Sequence, residues 1–336
     1  MAAAASAALR APTDSTAAVP GIRLHVVTGK GGVGKTTVAA AMALALAEGG
    51  RRVLLVEVEG RQALAQLFDV PALAYTERRL ATASGGGEVV GLAIDPEQAL
   101  MEYLAMFYNL KRAGRLLRRM GAIDFATTIA PGLRDVLLTG KVKEAVTRLG
   151  KDRHPVYDSV VLDAPPTGRI RQFLDATTEV AKLTKVGPIS RHSAGVISLL
   201  HGPLTAVHIV TVLEEMPVQE TIEAATDLAA AGFGLGAVIV NRVRPTLVAS
   251  GQVGARGAVD TTALGSGLAA AGVDAAFAEL LGRQMAEYAN RQRLQRRNAS
   301  LLHTIDRPRL ELPDLKPPVD LGELKELASH VAEVLR

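Results

Sequence analysis

Ile22-Arg23-Leu24-His25-Val26-Val27-Thr28-Gly29-Lys30-Gly31-Gly32-Val33-Gly34-Lys35-Thr36-Thr37 decides the fold. A short apolar run, Ile22–Thr28, stops at a glycine loop. An alanine-rich stretch, Thr36–Glu48, then reads as a helix closed by Gly49-Gly50. Gly29…Gly34-Lys35-Thr36 fits G-x-x-x-x-G-K-[ST] in the strand-to-helix context that this pattern requires. Each residue type has a physical reason. Gly29, Gly31, Gly32 and Gly34 let backbone N–H groups curl around phosphate oxygens, and the helix N-terminus adds a favourable dipole. Lys35 offers a point charge to β- and γ-phosphates, and the Thr36 hydroxyl is a ligand for Mg²⁺. Val33 and Thr37 belong with them among the nucleotide-binding residues. The expected cofactors are ATP or ADP with Mg²⁺.

Working outward, further short apolar runs lie at Arg52–Val58, Val89–Asp95, Val160–Asp163, Ala206–Leu213, Ala237–Asn241 and Arg309–Leu312, with a last helix from about Leu321. Apolar strands without alternation, separated by helices, predict an α/β fold: a P-loop NTPase with a mostly parallel sheet flanked by helices. Two stretches break the alternation. Residues 96–150 carry no strand signal and predict a small helical subdomain. Four of the chain's aromatics are there (Tyr103, Phe107, Tyr108, Phe125), among Lys111, Arg112, Arg115, Arg118 and Arg119. Residues 249–272, rich in Gly, Ala, Ser and Thr, read as a flexible loop. No internal repeat is visible. The expected organisation is a disordered tail at 1–21 and a single ATPase domain over 22–336.

Composition removes several classes of function. The chain has no cysteine, so thiolate zinc sites, iron–sulfur clusters and disulfides are excluded. No run of 18 apolar residues suggests an integral membrane segment, and the alanine tail lacks a signal peptide's basic start, which predicts a cytoplasmic protein. A net charge of +4 is mildly basic, but aromatics and positive charge are not concentrated as in nucleic-acid binders, so no nucleic-acid partner is expected. Arg283, Arg291, Arg293, Arg296 and Arg297 read as an exposed helix face. The final helix reads as core packing because its polar face carries Glu323, Glu326 and Glu333. His208 reads as a satisfied core histidine.

Several motifs together resemble one family. Leu54-Leu55-Val56-Glu57-Val58-Glu59-Gly60 stands at the place of a first switch, and Leu92-Ala93-Ile94-Asp95-Pro96 resembles a strand ending in Ile-Asp-Pro. Ala130-Pro131-Gly132-Leu133-Arg134-Asp135 resembles a Pro-Gly helix signature. Leu162-Asp163-Ala164-Pro165-Pro166-Thr167-Gly168 matches a second switch, and Val240-Asn241-Arg242 is similar to an adenine-binding Asn after a strand. From about residue 22 to 330, in order, these resemble the arsenite-pump and tail-anchored-protein-targeting ATPases, often called anion-transporting ATPases. Their likeness is strongest to actinobacterial members encoded as adjacent non-identical pairs.

That resemblance implies roles by position. Asp163 is a Walker-B-type carboxylate in the Mg²⁺ shell, and Gly168 lets the second switch approach the γ-phosphate. Glu59 stands where the family usually has an aspartate that orients the attacking water. Asn241, with donor and acceptor on one amide, suits adenine's edge. Lys30 gives the loop its deviant form, in which the extra lysine reaches across a dimer interface to the partner's nucleotide. The implied protein is a dimeric Mg-dependent ATPase whose nucleotide-driven switch handles a protein client, as a heterodimer with a paralogous ATPase or, failing that, a homodimer. The sequence also departs from the family. Arsenite capture and a zinc-bridged homodimer both need the missing cysteines, and the interval from Gly168 to Val207 is short and free of Met, leaving little room for a client groove. Two alternatives stay open: a partition or septum-positioning ATPase, which shares the deviant loop, and a nucleotide-binding scaffold with little hydrolysis.

Overall fold

The computed structural model describes residues 21–108, 131–183, 188–249, 251–254, 257–315 and 319–335. Residues 1–20 and the cluster Lys111–Arg119 with Phe125 lie outside the described residues. Eight strands form one sheet in the order β3-β4-β2-β5-β1-β6-β7-β8. They are β1 (Leu24–Gly29), β2 (Arg52–Glu57), β3 (Arg78–Thr82), β4 (Glu88–Ala93), β5 (Ser159–Asp163), β6 (Thr205–Thr211), β7 (Leu235–Val243) and β8 (Arg309–Pro313). Every pairing is parallel except that of β3 with β4. β1, β5 and β6 are buried at every position, as two-sided coverage demands.

β3 carries no strand signal of the kind read in the other strands. Only Leu80 and Ala81 of its five residues are buried, so it forms an antiparallel edge with little apolar signal.

One face of the sheet is covered by α1 (Lys35–Ala47), α2 (Ala63–Leu67) and α10 (Leu321–Leu335), whose apolar residues share a core with Val27, Leu55 and Val210. The other face packs α3 (Pro96–Tyr108), α4 (Pro131–Thr147), α5 (Thr167–Leu183), α6 (Pro188–Leu200) and α7 (Glu215–Ala230) around Leu24, Val56 and Ile209. α3 and α4 fall in the stretch predicted to be helical.

Of the stretch expected as a loop, residues 261–270 form a helix, α8 (Thr261–Ala270), followed by the long α9 (Ala278–Leu301). The reason is local. Asp260 accepts hydrogen bonds from the N–H groups of Thr262 and Ala263, a proper N-cap for an otherwise weak helix former. α8 meets α9 through glycine: Gly265 lies against Ala275 and Ala278, and Gly282 against Thr261 and Val259.

His208 is a core histidine with a partner. His25 and His208 stack with ring centroids 5.4 Å apart, and His25 Nδ1 lies 3.2 Å from His208 Nε2. His208 Nδ1 accepts from the Ala237 N–H. Its proton is therefore on Nε2, and it donates to His25 Nδ1. Burial holds His208 down at about 4. Burial, then the neighbouring His208, holds His25 down at about 3, so both rings are neutral.

Candidate active site

All the predicted site residues gather at the carboxyl ends of the strands, where an open α/β sheet leaves its crevice. β1 ends at Gly29, and α1 begins at Lys35 after Gly34, whose φ of 91° is left-handed. Two of the glycines are required by sterics. A Cβ on Gly29 would stand 2.2 Å from the Val210 carbonyl oxygen, and one on Gly34 would stand 2.4 Å from Asn241 Nδ2. Gly31 and Gly32 are exposed, with open space where a side chain would be. Val33 is buried and anchors the loop from below.

Thr36 and Asp163 meet. The Thr36 hydroxyl donates to Asp163 Oδ2 at 2.7 Å, while Asp163 Oδ1 is buried without a hydrogen-bond partner. Burial raises this carboxyl to about 6, assisted by Glu57 and Glu59 and opposed by Thr36 and Lys35. A hydroxyl and a carboxylate with one oxygen unsatisfied suit Mg²⁺, which keeps several waters and takes its other oxygens from phosphate. No group of three or more His, Asp or Glu that could cage a metal occurs among the described residues, and Mg²⁺ at a phosphate needs none.

β2 ends in one acid, Glu57, and a second, Glu59, follows it in different surroundings. Glu57 is buried and accepts from the N–H groups of Ala63 and Leu64, at the start of α2. Glu59 is not tied to a helix: its nearest cation is Arg61 at 3.7 Å. Glu59 lines a cavity of about 200 Å³ together with Arg61, Arg134, Asp135, Pro165 and Arg169. Arg169 of the second switch lies 3.5 Å from the buried Asp135 of α4, and Arg134 reaches the Val58 carbonyl. The segments that follow β2 and β5 thus both contact the start of α4. Thr28 adds a further tie, donating to the Pro165 carbonyl at 2.7 Å. Gly168 sits exposed beside them, with open space where a side chain would be.

At the other end of the loop a larger cavity, about 750 Å³, is lined by Gly34, Thr37, Asn241, Arg242, Arg291 and Leu294 among others. Asn241 fixes its near wall. Its Nδ2 donates to the Val33 carbonyl at 2.9 Å, and its Oδ1 accepts from the Arg242 N–H at 3.0 Å. One amide hydrogen and one lone pair are left for a base edge. The backbone bends here to place them: Arg242 has φ 56°, and the β7–β8 register shifts between Val240 and Val243.

Comparison with known proteins then decides the family. Residues 22–202 match the family described as anion-transporting ATPase. The chain is 56% identical over 318 residues to ATPase BagA of Mycobacterium tuberculosis, covering 93% of each protein. It belongs to the anion-transporting ATPase family. The mycobacterial relative agrees with the actinobacterial type expected from the motifs. More distant members include a putative arsenical pump-driving ATPase 2 of Aquifex aeolicus, 26% identical over 253 residues (67% of this chain, 81% of that protein). ATPase GET3 of Podospora anserina is 28% identical over 182 residues, covering 54% of this chain and 51% of that protein.

As a member of this family of ATPases, the chain has support for ATP hydrolysis in general. No helix among the described residues is long and apolar enough to cross a membrane. Lys30 has a place that the sequence did not suggest. Lys30 forms an ion pair with Glu220 of α7 in its own chain, and Thr167 donates to the second oxygen of Glu220 at 3.2 Å. Sequence reasoning missed Glu220, Arg169 and Thr28. Glu220 had no motif, being one of three glutamates on α7, and Arg169 was passed over as the residue after a glycine.

Proposed function

We propose that this chain is a Mg-dependent ATPase that works as a dimer with a non-identical paralogue, hydrolysis changing the subunits' embrace and so moving a protein client. The observation that carries the hydrolytic part is the convergence of Thr36, Asp163 and Glu59 around the phosphate loop, with Asp163 Oδ1 unsatisfied. In this reading Lys35 and the loop N–H groups hold the β- and γ-phosphates. Thr36 and Asp163 hold Mg²⁺, which supplies charge neutralisation on the phosphate oxygens. Glu59 accepts a proton from the attacking water, and Pro165–Gly168 close over the γ-phosphate. Asn241 meets the adenine edge.

The partner follows from Lys30 and from the absence of cysteine. The deviant lysine acts on a nucleotide facing it from another subunit, and the chain lacks the cysteines that would lock two identical chains through zinc. A homodimer is the fallback assembly. Glu59→Gln tests the catalytic part: Mg-ATP binding stays normal while turnover falls by about 10²–10⁴-fold. Turnover already negligible in the natural protein, and unchanged by the substitution, would favour a nucleotide-binding scaffold. Co-expression with the paralogue, followed by mass and size measurement with and without ATP, tests the assembly. If the two never co-purify and this chain alone forms an active dimer, the hetero-assembly fails while the ATPase reading stands.

A further inference from the structure

Glu220 stands at a position that neither the motifs nor the family resemblance assigns. It projects from α7, and one carboxylate engages two separate elements. Oε1 pairs with Lys30 of the phosphate loop, and Oε2 accepts from Thr167, the first residue of α5 in the second switch. A carboxylate here also meets the electropositive start of a 17-residue helix. The side chains of Lys30 and Glu220 are 33% and 31% exposed, so the pair is reachable and screened rather than locked in the core. The groups it holds are those the proposed cycle needs elsewhere: Lys30 toward a facing nucleotide, and Thr167 toward the γ-phosphate.

We infer that Glu220 is a positioning residue that latches the open subunit, its carboxylate taking the place that phosphate oxygens take in the closed one. This rests on the reading of Lys30 as a residue that acts across the interface. The physical logic is competition. Phosphate carries more charge than a carboxylate and offers more acceptor oxygens, so nucleotide draws Lys30 and Thr167 off Glu220 only when both ATP and a facing subunit are present. The latch thereby keeps a lone subunit from closing on ATP unproductively. It also couples the two loops, since release of either weakens the hold on the other.

Glu220→Gln retains the shape and an acceptor for Thr167 but removes the charge that holds Lys30. The full chain, with its co-expressed paralogue if they purify together, is titrated with Mg²⁺ and a non-hydrolysable ATP analogue, and assembly is followed by sedimentation. The latch predicts that half-maximal assembly shifts to about fivefold lower nucleotide in Glu220→Gln, the scale of a partly exposed ion pair. A merely structural glutamate would not lower that threshold. In a Lys30→Met background, which the reading of Lys30 predicts not to assemble, the same substitution should not restore assembly. If Lys30→Met abolishes assembly and Glu220→Gln leaves the threshold unchanged or raises it, the latch fails while the reading of Lys30 survives. If Lys30→Met assembles like the natural protein, or nucleotide induces no assembly, that reading fails and the latch falls with it.

Discussion

α1 and α9 both border the larger cavity, and they are built in opposite ways. Eleven of the thirteen residues of α1 are buried, and it is apolar all round. Only Ala278, Gly282 and Gln292 are buried among the twenty-four residues of α9. α9 is tethered instead by polar contacts: Tyr288 to the Pro245 carbonyl, Asn298 to the Leu213 carbonyl, and Arg309 to the Ala299 carbonyl. Leu294 and Leu301 stay exposed on its length. The phosphate-loop end of the cavity therefore stands on the core, whereas its far end is walled by a helix with few buried residues. On the proposed reading, phosphate geometry is preorganised and the fit around the base is adjustable.

Acid gives the largest expected contrast. Strand alternation puts His25 and His208 on the sheet face that α1 covers, whereas α9 has no histidine. Both rings have folded pKa values lowered below an ordinary 6.5, so the unfolded chain binds more protons as pH falls. Their contribution is complete above pH 6.5 and is lost as pH falls toward about 4 and 3. By pH 5 each ring should cost about 2 kcal/mol. Urea melts from pH 8 to 5 check this; flat stability below pH 6 would show the pair to be hydrated.

Truncation in the core comes next. Leu44→Ala in α1 should lower stability by about 3 kcal/mol, measured by denaturant unfolding, with little cavity relaxation possible beside α10. At the mouth of the same helix, Lys35→Ala should weaken Mg-ATP binding about a hundredfold, the scale of a lost charge-assisted contact, while the melting temperature holds. Calorimetry that finds unchanged affinity removes the phosphate-loop assignment. The smallest effect belongs to α9. Leu294→Ala should leave stability within about 0.5 kcal/mol, as for exposed positions, yet weaken ATP more than inorganic triphosphate. A stability loss matching that of Leu44→Ala would erase the difference between the two helices.

How legible these parts were follows from how local their chemistry is. The phosphate loop is eight consecutive residues whose spacing carries the function, and Thr36 and Asp163 were paired by family pattern before the 2.7 Å contact joined them. The choice of Glu59 over Glu57 rested on resemblance, and the physical difference appeared only once Glu57 was seen committed to α2. Glu220 was out of reach because its partner, Lys30, is 190 positions away and nothing in α7 singles it out. β3 failed the apolar criterion as a mostly exposed edge. α8 failed the compositional one, although Asp260 two residues ahead of Thr262 was a readable cap.

α10 lies along α1, and Leu324, Leu327 and Val331 complete the core that Val38 and Met42 begin. On the ribosome the phosphate loop is made long before α10, and its helix keeps one flank in water until residues 321–335 emerge. A nascent chain can therefore carry the full motif and still lack a firm grip on ATP. On the proposed reading, firm nucleotide binding waits until α10 has docked on α1.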